Sequence, residues 1–505
     1  MSDDAKEPKD ERTQDHEPPK GAETTGAWGR GRKRIEYTAT GKWTVLRKKE
    51  KPAAEIFSVS YVAEGDDPAR PVTFVFNGGP GAASAFLHMG AVGPKRVDFP
   101  PDGTLPTLPP RLVENESSWL AFTDLVFVDP VGTGFSRIIE REKKGEGKEG
   151  GGPGKPDDAP DPKEYFGYKR DLESLCEFMG RWLSEHGRWG SPVLIAGESY
   201  GGYRVGRLAR VLQETAGIGL NGAILISPAL EITALNPTDY EVPGWIDRIP
   251  TMTAAALHHG RSRAFRKGSS LEKALRAAEE FATGDYASFL TRGASLPAKE
   301  RTRILTRLAD LIGLPVELVE RSEGRVTIQR FVRELLRDER KVLGLYDATI
   351  TAIDPFPDRD EFGWPDPTLS GIGPAYTMAV NRMLRSEIGV ETDREYVLLS
   401  YEVNLAWRND AEQQHAFAPP PGATDDFRYG MALNPHMKAF ITHGQYDLVT
   451  PYYASDRLRN LMRLDPQMAG RLTVQHYGGG HMFYAWEESR HAFTAAIAAF
   501  VADAT

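Results

Sequence analysis

The sequence predicts an α/β fold: a mostly parallel central sheet with helices on both faces and a helical cap inserted into it. Three observations carry that expectation. Short apolar runs rich in β-branched residues recur between Gly, Pro, Asn and Asp, the pattern of strands buried on both sides. Helical patterns lie between those runs, and such alternation builds a sheet covered on both faces. From residue 231 to 373 the strand runs cease, and Arg-rich helical segments such as LEKALRAAEEFA take over.

Taken in order, residues 1–33 mix Lys, Glu, Asp, Pro and Gly without periodicity and read as a disordered tail. The first part of the core spans 34–230, with strand runs at Ile56–Val62, Val72–Phe76, Leu125–Val128, Val193–Ala196 and Ala223–Ile226. Inside it, residues 140–163 offer only Gly, Pro and charge, and read as a flexible surface loop. Their GGPGK is not a phosphate loop, because no Ser or Thr follows Lys155 and no apolar strand precedes the glycines. Over 169–186, Leu172, Leu175, Phe178, Met179, Trp182 and Leu183 recur at three- and four-residue steps, which makes an amphipathic helix. After the cap at 231–373, the core resumes over 374–505 with strands at Lys438–Thr442 and Leu472–Tyr477.

Composition narrows the function classes. The 505 residues carry 62 Lys plus Arg and 71 Asp plus Glu, so the net charge is 62 − 71 = −9. That balance gives no electrostatic footprint for nucleic acid or for an anionic membrane. No run of about 18 apolar residues exists to span a bilayer. The charged start, MSDDAKEPKD, lacks the apolar stretch of a secretory signal. With Cys176 as the single cysteine, neither an internal disulfide nor a cysteine zinc cage can form. The simplest expectation is a cytoplasmic protein, or a periplasmic or secreted one if a leader was removed. No HExxH or comparable ligand set appears, so no metal and no cofactor is expected. Composition leaves the oligomeric state open.

The chemistry concentrates at Gly197-Glu198-Ser199-Tyr200-Gly201. A strand run enters it and a helical pattern with Val205, Leu208 and Leu212 leaves it. This is a nucleophile elbow in its required setting, a sharp strand-to-helix turn that exposes the serine hydroxyl. Its glycines let strand and helix approach closely. A serine needs a positioned base, and in α/β-hydrolases an acid and then a histidine follow in chain order. Asp447 lies just after the strand Lys438–Thr442, and His481 just after Leu472–Tyr477. His443 and His476, at strand ends, and His258 and His259, in the cap, have no ligand-like spacing and read as structural.

Three further segments sharpen the reading: Asn77-Gly-Gly-Pro-Gly81, Asn115-Glu-Ser-Ser-Trp119, and Asp129-Pro-Val-Gly-Thr-Gly-Phe-Ser136. With Gly-Glu-Ser-Tyr-Gly, His-Gly-Gln-Tyr-Asp447 and Gly-Gly-His481-Met482, the set resembles the serine carboxypeptidase family over roughly 55–230 and 395–500. The resemblance implies an α/β-hydrolase that releases C-terminal residues from peptides through an acyl-enzyme. Ser199 would be the nucleophile, His481 the base and Asp447 its orienter, with the oxyanion held by the amides of Gly79 and Tyr200. Asn77, Gly78 and a protonated Glu198 would bind the free carboxylate of the peptide substrate.

The chain departs from the family pattern at several positions. Ala82 stands where a cysteine is common and Val75 where a tryptophan is common. Phe483 replaces the usual proline after His-Met, and Gly201 the usual alanine. The same triad could also serve an esterase or acyltransferase, or the fold could serve as a non-catalytic binding protein. The cap arginines from Arg261 to Arg340 read as a solvated surface, with steering of a carboxylate as the sharper possibility.

Overall fold

The computed structural model describes residues 16–48, 50–65, 67–139, 162–362, 365–408 and 421–505. Its strands are β1 (Ala22–Trp28), β2 (Ile35–Lys48), β3 (Lys51–Ala63), β4 (Val72–Phe76), β5 (Lys95–Val97), β6 (Leu112–Glu114) and β7 (Asp124–Asp129). Then come β8 (Arg137–Ile138), β9 (Val193–Glu198), β10 (Gly222–Ile226), β11 (Lys341–Leu343), β12 (Thr351–Ile353), β13 (Lys438–Gly444) and β14 (Leu472–Tyr477). The main sheet runs β1-β2-β3-β7-β4-β9-β10-β13-β14, and β8 pairs with β3. From β7 to β14 every neighbouring pair is parallel, while β1, β2 and β3 add antiparallel strands at one edge. This is the mostly parallel sheet that the strand runs predict.

The central strands read as continuous apolar runs because they bury both faces. Along β4, Phe74 and Phe76 face one core and Val75 the other. Along β7, Val126 and Val128 alternate in the same way with Leu125 and Phe127. The helices Tyr168–Glu185 and Tyr200–Glu214 cover the first face through Leu172, Phe178, Trp182, Val205 and Leu208. The C-terminal helix Glu487–Ala504 covers the second through Phe493, Ile497 and Phe500. Each fully buried side chain of this size contributes about 1.5–3 kcal/mol.

Two expectations change. Residues 22–33 are not part of a disordered tail: β1 pairs along its whole length with β2, from Ala22 opposite Gly41 to Trp28 opposite Ile35. Trp28 buries its ring and donates its indole N–H to the Asn115 carbonyl at 2.7 Å, which anchors a segment whose other side chains are small or polar. Residues 1–15 lie outside the described residues, as do 140–161 of the expected surface loop.

Between β10 and β13 the chain is mainly helical, from Pro243–Asp247 through Ile328–Glu334, and packs a separate apolar cluster with Leu448 and Tyr452 of the core. It also holds the short antiparallel pair β11–β12, which no strand run announces. The helix Pro367–Asn381 crosses the expected boundary at 373, and its Ile372, Ala375 and Tyr376 join the main core.

Candidate active site

The elbow forms where β9 ends at the parallel-sheet edge facing the helical segment. Ser199 has φ +62°, and the helix Tyr200–Glu214 begins immediately after it. A non-glycine residue there is strained, and such strain persists only where the surroundings over-determine it. They do so here. The Ser199 amide donates to Ile226 O of β10 at 2.9 Å, and its carbonyl accepts from Gly202 and Ala229 amides at 2.9 and 3.1 Å. A Cβ on Gly197 would overlap the Gly201 carbonyl, so the glycine permits the sharp turn. Ser199 is partly exposed, and its hydroxyl has no protein partner among the described residues.

Asp447 and His481 follow the two strands added after the helical segment, β13 and β14. His481 Nδ1 lies 2.6 Å from Asp447 Oδ2, with both side chains buried. Asp447 is held rigidly: Oδ1 accepts the amides of Val449 and Thr450 at 2.9 and 3.0 Å, and Oδ2 also meets the Thr450 hydroxyl at 2.6 Å. Burial opposes a charge on His481, but the carboxylates of Asp447 and Glu198 outweigh it and raise its pKa. Ser227, one residue beyond Ile226, donates its hydroxyl to the His481 carbonyl at 2.8 Å and so ties the histidine loop to the strand beside the elbow. Thr450 and Ser227 carry no motif, and sequence reasoning gave them no role.

A second group of residues gathers beside Ser199. Gly78 packs so tightly against the elbow that a Cβ would meet the Tyr200 amide nitrogen at 2.5 Å and Ser199 Cβ at 2.8 Å. The amides of Gly79 and Tyr200 donate to no protein acceptor among the described residues. Asn77 donates through Nδ2 to Glu198 Oε2 at 2.5 Å and accepts the Leu87 amide at 3.0 Å. Its carbonyl takes a bond from Arg204 Nη1 at 2.6 Å. Three partners therefore fix Asn77 where the family pattern would use a neighbouring tryptophan and this chain has Val75. Glu198 is buried, and burial pushes its pKa up to about 7 against the pull of His481, Tyr484 and Asn77. Its Oε1 has no hydrogen-bond partner, and neither has the hydroxyl of Tyr484, a buried side chain that interacts with Glu198.

The segment around Ala82 is anchored by hydrogen bonds to its backbone. Ser400 N donates to Gly81 O at 2.7 Å, Ala83 N to Leu398 O at 3.0 Å, and Asn404 Nδ2 to Pro80 O at 3.1 Å. Tyr346, from the helical segment, stands edge-on to the His481 ring with centroids 5.2 Å apart.

The other histidines have structural partners: His443 binds Thr450 O and Ser455 Oγ, His476 meets Asp456, and His259 binds Ala348 O. Arginines of the helical segment are largely paired, for example Arg261 with Asp338 and Glu339, Arg301 with Glu323, and Arg333 with Asp354. Among the described residues no cluster of His, Cys, Asp and Glu could hold a metal ion, and no helix is long and apolar enough to cross a membrane.

Residues 41–243 match the family model of serine carboxypeptidases. Over that stretch, which is less than half of the chain, the protein is similar to the serine carboxypeptidases. Among curated relatives, serine carboxypeptidase-like 37 of Arabidopsis thaliana is 30% identical over 197 residues, which is 37% of this chain and 34% of that one. The pheromone-processing carboxypeptidase KEX1 of Saccharomyces cerevisiae is 31% identical over 139 residues, 26% of this chain and 16% of that one. The chain thus aligns with about a third or less of the length of these relatives. Among solved structures, Kex1Δp, a prohormone-processing carboxypeptidase from the same yeast, superposes with a TM-score of 0.51 at 15% identity over 92% of each chain. That likeness is one of fold, and the fold is that of the α/β-hydrolases.

Proposed function

We propose that the protein is a serine-type carboxypeptidase. The observation that carries this reading is the pairing of Asn77 with a buried Glu198, whose pKa is pushed up to about 7, directly beside the partly exposed Ser199. An anionic carboxylate here would repel a peptide's C-terminal carboxylate. A protonated one donates to it, and the unpartnered Oε1 is the oxygen available for that proton.

In this reading the peptide carboxylate sits against Oε1 of Glu198, Asn77 Nδ2 and the Gly78 amide, which sets the last peptide bond over Ser199. The Ser199 hydroxyl attacks the carbonyl while His481 Nε2, the ring nitrogen not used by Asp447, takes its proton. Catalytic hydrogen bonds often tighten only with substrate in place, and the Ser199–His481 link belongs to that class. Amides of Gly79 and Tyr200 receive the oxyanion. Each such donor is worth about 10²–10³ in rate in comparable sites. His481 then protonates the leaving amine, and water repeats the sequence to free the acyl group.

The direct test compares one peptide with a free and with an amidated C-terminus. Loss of charge-assisted bonds worth about 1.5–3 kcal/mol each lowers kcat/KM for the amide by roughly 100-fold. Equal cleavage of the two would sink the carboxylate site. The pH dependence offers a second check. Because Glu198 must keep its proton, peptide kcat/KM declines as pH rises through about 7. Glu198→Gln removes that alkaline decline. An unchanged profile in the variant excludes this role for Glu198.

A further inference from the structure

The segment 344–350 belongs to the helical insertion, yet it lies between the acid loop and the base loop of the triad and bonds to both. On the acid side, Leu448 N donates to Leu345 O at 3.1 Å, and Ala348 N donates to Tyr446 O at 3.0 Å. These bonds hold Asp447 from the residues before and after it. On the base side, His481 N donates to Tyr346 O at 2.5 Å, and Gly480 N donates to Asp347 Oδ2 at 3.0 Å. Two successive amides of the histidine loop therefore end on two successive residues of one segment.

Asp347 is the member of this arrangement whose side chain makes the connection. It is buried, and its second oxygen accepts the Thr349 amide at 2.9 Å and the Thr349 hydroxyl at 2.6 Å. The segment is itself held from the insertion's side: Leu345 N donates to Asp366 Oδ2 at 2.5 Å, and His259 binds Ala348 O at 2.8 Å. A carboxylate locked by its own turn gives Gly480 a fixed acceptor, and Gly480 precedes the base. Removing that acceptor leaves a buried N–H unpaired and frees the loop to shift.

We infer that Asp347 is a positioning residue for His481, through the Gly480 amide, and that the insertion thereby completes the triad geometry. The inference rests on the triad reading and not on the carboxylate site. Misplacing a base by about 1 Å costs around 100-fold in turnover. The role is separable from substrate binding, because Asn77, Gly78 and Glu198 stand on other loops.

The test measures kcat and KM per active site, titrated with a fluorophosphonate, on both a short activated ester and a peptide. Asp347→Ala lowers kcat about 100-fold on both substrates with KM within about threefold of the wild type. Asp347→Asn can turn its amide so that Oδ1 still receives Gly480, and kcat returns to between about three- and tenfold below wild type. Thr349→Val removes one of the bonds that lock Asp347 but leaves the Gly480 bond in place, so kcat stays well above that of Asp347→Ala. A wild-type kcat in either Asp347 variant overturns the proposal, and so does a loss confined to KM. Should Asp347→Ala fail to fold, Asp347→Asn decides.

Failure of the carboxypeptidase reading looks different: the ester is turned over and the peptide is not, while the Asp347 effect on the ester still counts. If neither substrate is turned over, the downfield proton resonance of the His481–Asp447 hydrogen bond takes over. Its loss in Asp347→Ala and retention in Thr349→Val support the role, and an unchanged resonance in both overturns it.

Discussion

Replacing Ser199 with alanine lowers turnover on the order of 10⁶-fold, the loss seen when the nucleophile of such a triad is removed. The size follows from how the site is divided. Asp447 and His481 stay bonded at 2.6 Å without the serine, but they have nothing to activate. The amides of Gly79 and Tyr200 remain and account for residual catalysis over water. No substitute nucleophile is at hand, since burial pushes the Cys176 thiol up to about 12 and it sits on the helix Tyr168–Glu185. Covalent labelling by a fluorophosphonate should vanish with turnover, while peptide affinity persists because the carboxylate-binding group is untouched. Retention of more than about one-hundredth of the activity would remove Ser199 from its role, given the usual loss for a missing nucleophile.

Arg204→Ala destabilises the protein by about 3–5 kcal/mol, the cost of breaking a buried ion pair by removing one member. Arg204 is fully buried on the helix that follows the elbow. It bonds Asp171 through Nε at 2.8 Å and Nη2 at 3.0 Å, and stacks 4.8 Å above the Tyr200 ring. Truncation takes the guanidinium away from the buried Asp171 carboxylate. The third arm of the guanidinium holds Asn77 O, so the same variant also raises KM for peptides. Urea unfolding measures the first effect and steady-state kinetics the second. The double variant Arg204→Met with Asp171→Leu should be more stable than the single alanine variant, because it removes both charges together. An unfolding midpoint for Arg204→Ala equal to the wild type would show that the pair carries no such weight.

The central strands were legible in the sequence because they bury both faces and so form unbroken apolar runs. The expected Val72–Phe76 matches β4 end to end. β2 was missed for the opposite reason: its 14 residues mostly alternate between buried and half-buried and mix Thr, Lys and Arg into the run, so it reads as polar. β1 offers one large apolar side chain, Trp28, and its structure comes from pairing with β2. At the site, Ser199, Asp447 and His481 follow strands in the order that elbow chemistry requires, and the motifs carry the neighbours on the same loops. Tyr346 and Asp347 lie in the insertion, more than 100 residues before His481, and only folding brings them to it. Ser227 and Thr450 have ordinary hydroxyls in ordinary turns, and nothing local distinguishes them.

The φ of +62° at Ser199 also bears on how this molecule can change over time. A glycine at that position would relax the backbone, whereas a serine held there costs of order 1–3 kcal/mol. Selection for robustness alone would therefore erase the nucleophile first. The serine survives only while its chemistry is in demand, and a descendant released from that demand gains stability by losing it.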